Sequence, residues 1–343
     1  MSRKLLSYTA LGLILGNAAI ADVPKVAVDI APVHSLVSRV MEGVGSPKLI
    51  IPAGASPHEY SLRPSEAKSL QDADMVIWMG EDLAPWMENS IEKLAKNAEV
   101  ITLLEASETK LLDFREGALF EEHDHGDHDD HDDHDDHDKD HDDHDDHDDH
   151  DHDKDHDDHD DHDDHDDHAG HDHGEHDPHA WLSIENAQTW LNLVAGKLSA
   201  ADPENAGVYF GNAAAARSEI EELSKEVNSI LDPVRGRSFV VFHDAYQYFE
   251  TSFDFPASGA ISLGDATDPS ASRIAEIQGR VREEGINCVL SEPQYNPNLV
   301  ETVLEGTDAK TGVIDPLGVN LEPGSKLYGD LIRNMAKSLA GCL

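Results

Sequence analysis

Short apolar runs alternate with longer helix-length segments in the first third of the chain. The apolar runs predict strands at residues 26–30, 48–51, 75–78 and 100–103. Apolar residues at helical spacing predict helices between those strands, at residues 34–42, 64–71 and 83–96. Strands separated by helix-length segments are typical of parallel β/α units, so we predict one such lobe here.

The same alternation returns after residue 234. Strands are predicted at residues 239–242, 260–263, 287–290 and 313–314. Helices are predicted between and after them, at residues 271–284, 297–304 and 325–339. The 343 residues also exceed what one hydrophobic core usually holds. Both observations indicate an α/β protein of two β/α lobes with parallel-type sheets.

One long helix is predicted between the lobes, over residues 203–231. Asp202 and Pro203 have the residue types of an N-cap and a first helical position, and Pro233 follows the end. One face is continuously apolar, through Tyr209, Ala213, Ala216, Ile220, Leu223, Val227 and Ile230. A helix of this length spans roughly 43 Å and can join two lobes rigidly.

The first 21 residues have the composition of a secretory signal peptide. Arg3 and Lys4 precede an apolar run that ends in the small residues up to Ala21. The run is too short for a membrane span and no later stretch reaches that length, so we predict export into a periplasm without membrane insertion. The predicted domains are then residues 22–200, the helix at 201–233, and residues 234–343.

Residues 121–177 are almost entirely Asp and His, mostly as the triplet DDH. This Asp/His tract contains 32 of the 71 acidic residues and 19 of the 23 histidines. The triplets have no apolar side chain to bury and their charges repel, so we predict a disordered insertion in the first lobe. We expect several weak metal sites there that raise the local metal concentration, the alternative being a solubilising acidic linker.

The net charge of −46 restricts the possible partners. The Asp/His tract accounts for −30 of it and the rest of the chain for −16. A chain this acidic does not bind nucleic acid or an anionic membrane surface, but it attracts divalent cations.

Cys288 and Cys342 are the only cysteines of the chain. In an oxidising compartment this pair favours a disulfide, with two separate buried thiols as the alternative. Closing that loop is expected to stabilise the fold by about 4 kcal/mol.

Three histidines outside the tract lie where a strand or loop gives way to the next element. His58 follows the predicted strand 48–51, His179 lies where a loop turns into a helix, and His243 ends the run SFVVFH. Open parallel sheets bind ligands beyond the carboxyl ends of their strands, so we predict that these imidazoles bind a metal. The alternatives are a solvent-facing loop residue for His58, a further residue of the tract for His179 and core packing for His243.

Asp315 follows the last predicted strand and is the best carboxylate to complete this set, although an acid before proline also caps turns. Three imidazoles with one carboxylate or water suit four-coordinate Zn²⁺, whereas Mn²⁺ prefers more oxygen ligands. Since two of the four residues come from each half of the chain, the metal is expected in the cleft between the lobes.

Two further expectations concern the surroundings of these histidines. Asp244, Tyr246 or a backbone carbonyl is expected to accept a hydrogen bond from the ring N–H of His243 that does not face the metal. His34 starts an amphipathic helix, and packing or capping is favoured over metal binding. Because imidazole binds metal in its neutral form, affinity is expected to fall below about pH 6.5.

Five segments of the chain resemble the metal-specific substrate-binding proteins of ABC transporters, in particular the zinc-specific periplasmic members. They are PAGASPHEYSLRPSEAKSLQDADMVIWMG (52–80), DPHAWLS (177–183), FVVFHDAYQYFE (239–250), LSEPQYNP (290–297) and IDPLG (314–318). The resemblance covers nearly the whole chain after residue 21. It implies two β/α lobes around a rigid helix, zinc as the transported ligand, a monomer, and delivery to a membrane permease.

By motif position the resemblance assigns metal ligation to His58, His179 and His243. Manganese members have an acidic residue where His243 stands, which favours zinc, and zinc members also carry a His- and Asp-rich loop and a disulfide at these positions. Some zinc members have a glutamate just before the first ligand, where this chain has Pro57. The fourth ligand is therefore open between Asp315, Glu59 and water.

The resemblance implies a binding protein without enzymatic activity, and other classes of protein account for part of the sequence. A manganese-type transport protein has the same resemblance, and a secreted zinc hydrolase also uses three histidines and water, with Glu59 as general base. The sequence contains no HExxH pair and no evident nucleophile elbow. A further alternative is a periplasmic zinc buffer that acts only through the tract. This function would leave the folded lobes without a role.

Overall fold

The computed structural model describes residues 23–115, 176–262, 269–295 and 298–343. Strands in the first lobe are β1 (Val26–Val28), β2 (Lys48–Leu49), β3 (Met75–Trp78) and β4 (Glu99–Thr102). Helices there are α1 (Ala31–Val40), α2 (Pro64–Gln71), α3 (Pro85–Leu94) and α4 (Ile184–Ala201). The predicted elements are present with ends shifted by a few residues, and α4 was predicted only as a helix after His179, without bounds.

The second lobe follows the long helix α5 (Ala206–Leu231). Its strands are β5 (Phe239–His243), β6 (Gly259–Ser262), β7 (Cys288–Ser291) and β8 (Lys310–Val313). Its helices are α6 (Gln247–Phe253), α7 (Ala271–Glu283), α8 (Asn298–Leu304) and α9 (Leu327–Cys342). Strand β8 begins three residues earlier than predicted, because it is a largely exposed edge strand without an apolar run.

The described strands form two four-stranded parallel sheets, with the strand orders β2-β1-β3-β4 and β6-β5-β7-β8. Ala27 pairs with Val76 across the centre of the first sheet, and Val241 pairs with Leu290 across the centre of the second. The winding direction changes between β1 and β3 and between β5 and β7, and sheets of this type bind ligands beside that point. The predicted fold class, two α/β lobes with parallel sheets, is confirmed.

The long interlobe helix is present, but its first turn is a 3₁₀ turn at Pro203–Asn205. Helix α5 then continues for 26 residues, about 39 Å at 1.5 Å per residue. Its buried residues are Tyr209, Ala213, Ala216, Ile220, Leu223, Val227 and Leu231, so the predicted face differs only in its last member. This face belongs to one hydrophobic core that extends into both sheets, from Val28 of β1 to Val241 of β5.

The predicted disulfide joins Cys288 at the start of β7 to Cys342 at the end of α9. The bond fixes the C-terminal helix against the second sheet. Gly312 of β8 packs closely against the disulfide. A Cβ atom at that position would lie 3.3 Å from the sulfur of Cys342. Both cysteines are buried, so the bond is part of the core.

The predicted signal peptide and most of the Asp/His tract lie outside the described residues. His176, the last histidine of the tract, is described, and its Nδ1 atom is 3.0 Å from Oδ1 of Asp113. The two residues also form an isolated antiparallel bridge, which pairs the chain before the tract with the last described part of it. Among the described residues, no helix combines the length and apolar character that a membrane crossing requires.

Candidate metal centre

The three predicted histidine ligands line one small cavity at the carboxyl ends of the strands. The lining residues are Ser56, Pro57, His58, His179, Trp181, His243, Glu292, Gln294, Tyr295, Pro316 and Leu317. About 10 Å³ of the cavity is open to the centre of a water-sized sphere, which is the room that a single water or ion needs. Pockets for organic ligands are far larger, so the cavity fits an ion as its occupant.

The imidazole rings are spaced as a shared metal requires. The ring centres of His58 and His179 are 5.5 Å apart, and those of His179 and His243 are 5.3 Å apart. Three imidazoles bound at about 2.0–2.1 Å to one tetrahedral Zn²⁺ hold their ring centres roughly 5 Å apart. Both measured separations are close to this value.

His179 is fixed by the residue two positions before it. The Asp177 carboxylate accepts a hydrogen bond from the backbone N–H of His179 at 2.9 Å, and the same oxygen lies 2.7 Å from ring atom Nδ1. Both side chains are almost completely buried. A carboxylate only accepts, so Nδ1 carries the hydrogen and Nε2 is the atom available to a metal.

His243 is held in the same way by Glu292. Its Nδ1 atom is 2.6 Å from Oε1 of Glu292, and both side chains are buried. Strand β5 ends at His243 and the adjacent strand β7 ends one residue before Glu292, so the two side chains meet at one sheet edge. The predicted acceptors for this hydrogen bond, Asp244, Tyr246 or a backbone carbonyl, were wrong, because Glu292 has this role. Asp244 pairs with Arg115 instead.

Replacing Glu292 with Gln tests this arrangement. The amide keeps the size of the side chain but removes the charge that orients the imidazole and raises its basicity. Zinc affinity is expected to fall roughly 10- to 100-fold, measured by competition with a chromophoric chelator. Glu99→Gln is the control, because Glu99 pairs with Lys197 on the surface, and an equal loss in both variants would contradict the role of Glu292.

His58 lies in a half-buried loop that two aromatic side chains hold in place. The Trp86 Nε1–H donates to the carbonyl oxygen of Pro57 at 2.8 Å, directly before the histidine. The Tyr60 hydroxyl, two residues after it, donates to Glu66 at 2.9 Å, and the Tyr60 and Trp86 rings meet edge to face. The loop conformation is thus fixed from α2 and α3 of the first lobe.

The segment that carries His179 is held largely by the second lobe. The indole N–H of Trp181 donates to the carbonyl oxygen of Pro316 at 2.9 Å. The hydroxyl of Tyr328 in α9 donates to the carbonyl oxygen of Trp181 at 3.1 Å. His179 therefore precedes the long helix in the sequence, while its segment is hydrogen-bonded to the second lobe.

Asp315 has the turn-capping role that was the alternative to metal binding. Its oxygens accept backbone hydrogen bonds from Leu317, Gly318 and Val319 at 3.0, 2.9 and 2.7 Å. Gly318 has a φ of +77°, which only glycine adopts without strain, and the carboxylate is not among the cavity-lining groups. Metal ligation by Asp315 stays a prediction, and its turn contacts favour water as the fourth ligand.

Glu59 and His34 are separated from the cavity. The Glu59 side chain is exposed and does not line the cavity, so it is poorly placed as a ligand or a general base. The His34 ring is buried between Pro47 and Ser38, with its nitrogens 3.3 and 3.4 Å from their oxygens. Burial lowers the pKa of His34, and its expected packing role is confirmed.

Tyr246 lies beneath the site and stays a neutral phenol. Burial raises its pKa well above the usual range, and the negative charges of Glu292 and Asp315 raise it further. Within the described ranges no three His, Cys, Asp or Glu side chains are placed to hold a metal ion in this conformation. Ligation by the three histidines thus requires their rings to move.

Comparison with known proteins gives a consistent set of relatives. The family described as "Zinc-uptake complex component A periplasmic" matches residues 26–342. The high-affinity zinc uptake system protein ZnuA of Paracoccus denitrificans is 46% identical over 341 residues, which is 98% of each chain. The protein of the same name from Haemophilus influenzae is 37% identical and is covered over 99% of its length.

Solved structures share the fold at low sequence identity. A crystal structure of ZnuA superposes with a TM-score of 0.69 at 18% identity, covering 94% of this chain and 99% of that one. A manganese-bound periplasmic metal-binding protein from Candidatus Liberibacter asiaticus gives a TM-score of 0.65 at 19% identity, with 92% and 98% covered. At these identities the structures support the fold alone.

Proposed function

Because this chain belongs to the family of periplasmic zinc-uptake complex components A, we propose that it captures Zn²⁺ and delivers it to the membrane permease of an ABC transporter. It acts as a binding protein and not as an enzyme. We propose that it acts in the periplasm, as a monomer that docks on the permease with zinc bound. Zinc is the cargo of this cycle and not a resident cofactor.

One observation carries the proposal. Three imidazoles from distant parts of the sequence line one ion-sized cavity, and buried carboxylates fix the ring orientation of two of them. Neutral nitrogen donors in a four-coordinate arrangement favour Zn²⁺ over Mn²⁺. We assign the ligands as His58, His179 and His243, with water in the fourth position.

The proposed cycle is capture, partial closure of the cleft, docking and release. Helix α5 and the shared core limit the movement of the lobes to small tilts and loop changes. The Asp/His tract raises the local zinc concentration close to the cavity, since its last residue lies two positions before His179 in the sequence. The domain assignment that accompanies this proposal is residues 22–200, 201–233 and 234–343.

Growth under zinc chelation tests the proposed function. A strain that lacks the gene is expected to grow in chelated medium when complemented by the wild-type chain. A variant with all three histidines replaced by Ala is expected to fail, and added zinc, but not manganese, should restore its growth. Full growth with the triple variant, at equal protein level in the periplasm, would contradict the proposal.

A further inference from the structure

Arg115 forms a buried ion-pair cluster that metal ligation does not explain. Its guanidinium donates to both oxygens of Asp244 and to both oxygens of Glu250. The contact from Nε to Asp244 Oδ2 is 2.9 Å, and the contact from Nη1 to Glu250 Oε2 is 2.8 Å. The side chains are 17%, 6% and 6% exposed, so water screens these charges little.

The cluster joins the two lobes beside the proposed metal site. Arg115 belongs to the first half of the chain and is the last described residue before the Asp/His tract. Asp244 directly follows His243 at the end of β5, and Glu250 lies in α6. The guanidinium therefore ties the corner that carries His243 to the first lobe.

Helix α6 also contacts the segment that carries His179. The Tyr248 hydroxyl accepts a hydrogen bond from the Leu112 N–H at 2.9 Å and donates one to the Asp177 carbonyl at 2.9 Å. Leu112 in turn accepts from the backbone N–H of Asp177 at 2.8 Å. The segments of Arg115 and His179 are thus seated together on one helix of the second lobe.

The charge balance makes this arrangement depend on the arginine. Asp177, which holds His179, adds a third negative charge that acts on Asp244. Removing one partner of a buried ion pair leaves uncompensated charge, which the structure relieves by moving the group towards water. Without Arg115 the two carboxylates around it repel each other, and the backbone next to His243 moves with Asp244.

We propose that Arg115 is a positioning residue for the zinc site, which keeps the His243 ring aligned with the His179 ring by clamping Asp244 and Glu250 across the lobes. It contacts no metal. The inference rests on the proposed function, since it requires that His179 and His243 share one zinc ion. Its consequence is kinetic, because a loosened His243 corner lets the ion escape faster.

Three variants of the full chain test this role. Arg115→Gln removes the charge, and Arg115→Lys keeps a cation that cannot fork to both carboxylates. Arg39→Gln is the matched control, because Arg39 is 16% exposed and also pairs with two acids, Glu42 and Glu219, away from the cavity. For each variant the zinc dissociation rate into excess chelator is measured together with the visible absorption of the Co²⁺-loaded protein and the melting temperature.

We expect Arg115→Gln to release zinc at least roughly tenfold faster, with an altered Co²⁺ spectrum. Arg115→Lys should lie between it and the wild type, and it carries the test alone if the Gln variant does not fold. Arg39→Gln should keep the wild-type rate and spectrum even if its melting temperature falls. A wild-type rate and spectrum in the Arg115 variants, or equal acceleration in Arg39→Gln, would overturn the inference. Failure of the wild-type chain to bind zinc would instead refute the proposed function.

Discussion

Replacing His58, His179 or His243 singly with Ala will abolish high-affinity zinc binding. Each substitution removes one of the three proposed nitrogen donors from an ion-sized cavity, where surrounding carboxylates fix the rings of His179 and His243. Loss of a residue that only orients a ligand costs roughly 10- to 100-fold in affinity, so loss of a ligand itself should cost more. Calorimetric titration of each variant with zinc, after removal of residues 121–173, measures the effect without the Asp/His tract.

His34→Ala is the control for these substitutions. It removes a buried imidazole of the first lobe whose neighbours are Pro47 and Ser38, and it should lower stability without changing zinc affinity. Tight one-to-one binding that survives in His179→Ala or His243→Ala would show that the buried pair is structural. Survival in His58→Ala alone would reduce the proposed ligand set to two histidines.

Removing the disulfide will cost about 4 kcal/mol of the free energy of unfolding and leave zinc binding intact. The bond joins residues 54 apart in sequence, and closing a loop of that length restricts the unfolded chain to this extent. Cys288 begins strand β7, whereas Glu292 and the metal cavity lie beyond its carboxyl end. Stability and binding should therefore separate in a Cys288→Ala, Cys342→Ala double variant.

Thermal and urea unfolding of the zinc-free protein measure this effect. The melting temperature of the double variant should fall by roughly 10 °C, while its zinc affinity at 25 °C stays within a few-fold of the wild type. The reduced wild-type chain is the control, because it lacks the bond but keeps both sulfur atoms. Unchanged stability in both forms would contradict a structural role of the bond, and a large loss of affinity would contradict its separation from the site.

The fold could be predicted because each lobe repeats a simple pattern of buried strands and amphipathic helices. The long helix was recognisable from its apolar face, and only its first turn and last buried residue differ. The extent of helix α4 was not predicted because its buried face contains small residues, such as Ala187 and Ala195, which weaken the apolar pattern. The predicted position of edge strand β8 was shifted, because an exposed strand lacks an apolar run.

His58 and His243 could be predicted from position, since His58 follows a parallel strand, His243 ends one, and ligands bind beyond the carboxyl ends of such strands. His179 follows no strand, and its prediction depended on the turn from loop into helix and on the family resemblance. The carboxylate partner of His243 depends on which strands are neighbours, and the sequence does not state that order. Glu292 follows β7, which is adjacent to β5 only in the folded sheet. The sequence feature that could have identified Glu292 is its position as an acid directly after a buried strand, in LSEPQYNP.

Arg115 and Asp315 have roles that could not be predicted from the sequence, for two different reasons. Arg115 is one charged residue beside a tract full of charges, and only the folded chain brings it to Asp244. Asp315 has the right position for a ligand, but the backbone N–H groups of the turn after it compete for both carboxylate oxygens. Position in the sequence does not distinguish a metal ligand from a turn cap at Asp315, because the difference depends on the conformation of the turn that follows.

A crystal structure of the zinc-loaded protein without residues 121–173, recorded at the zinc absorption edge, tests the metal site most directly. We predict a single strong anomalous peak in the cavity, about 2.0–2.1 Å from one nitrogen of each of His58, His179 and His243, with water as the fourth ligand. A zinc peak elsewhere in the folded lobes, with these three imidazoles left out of its coordination, would contradict the proposed site.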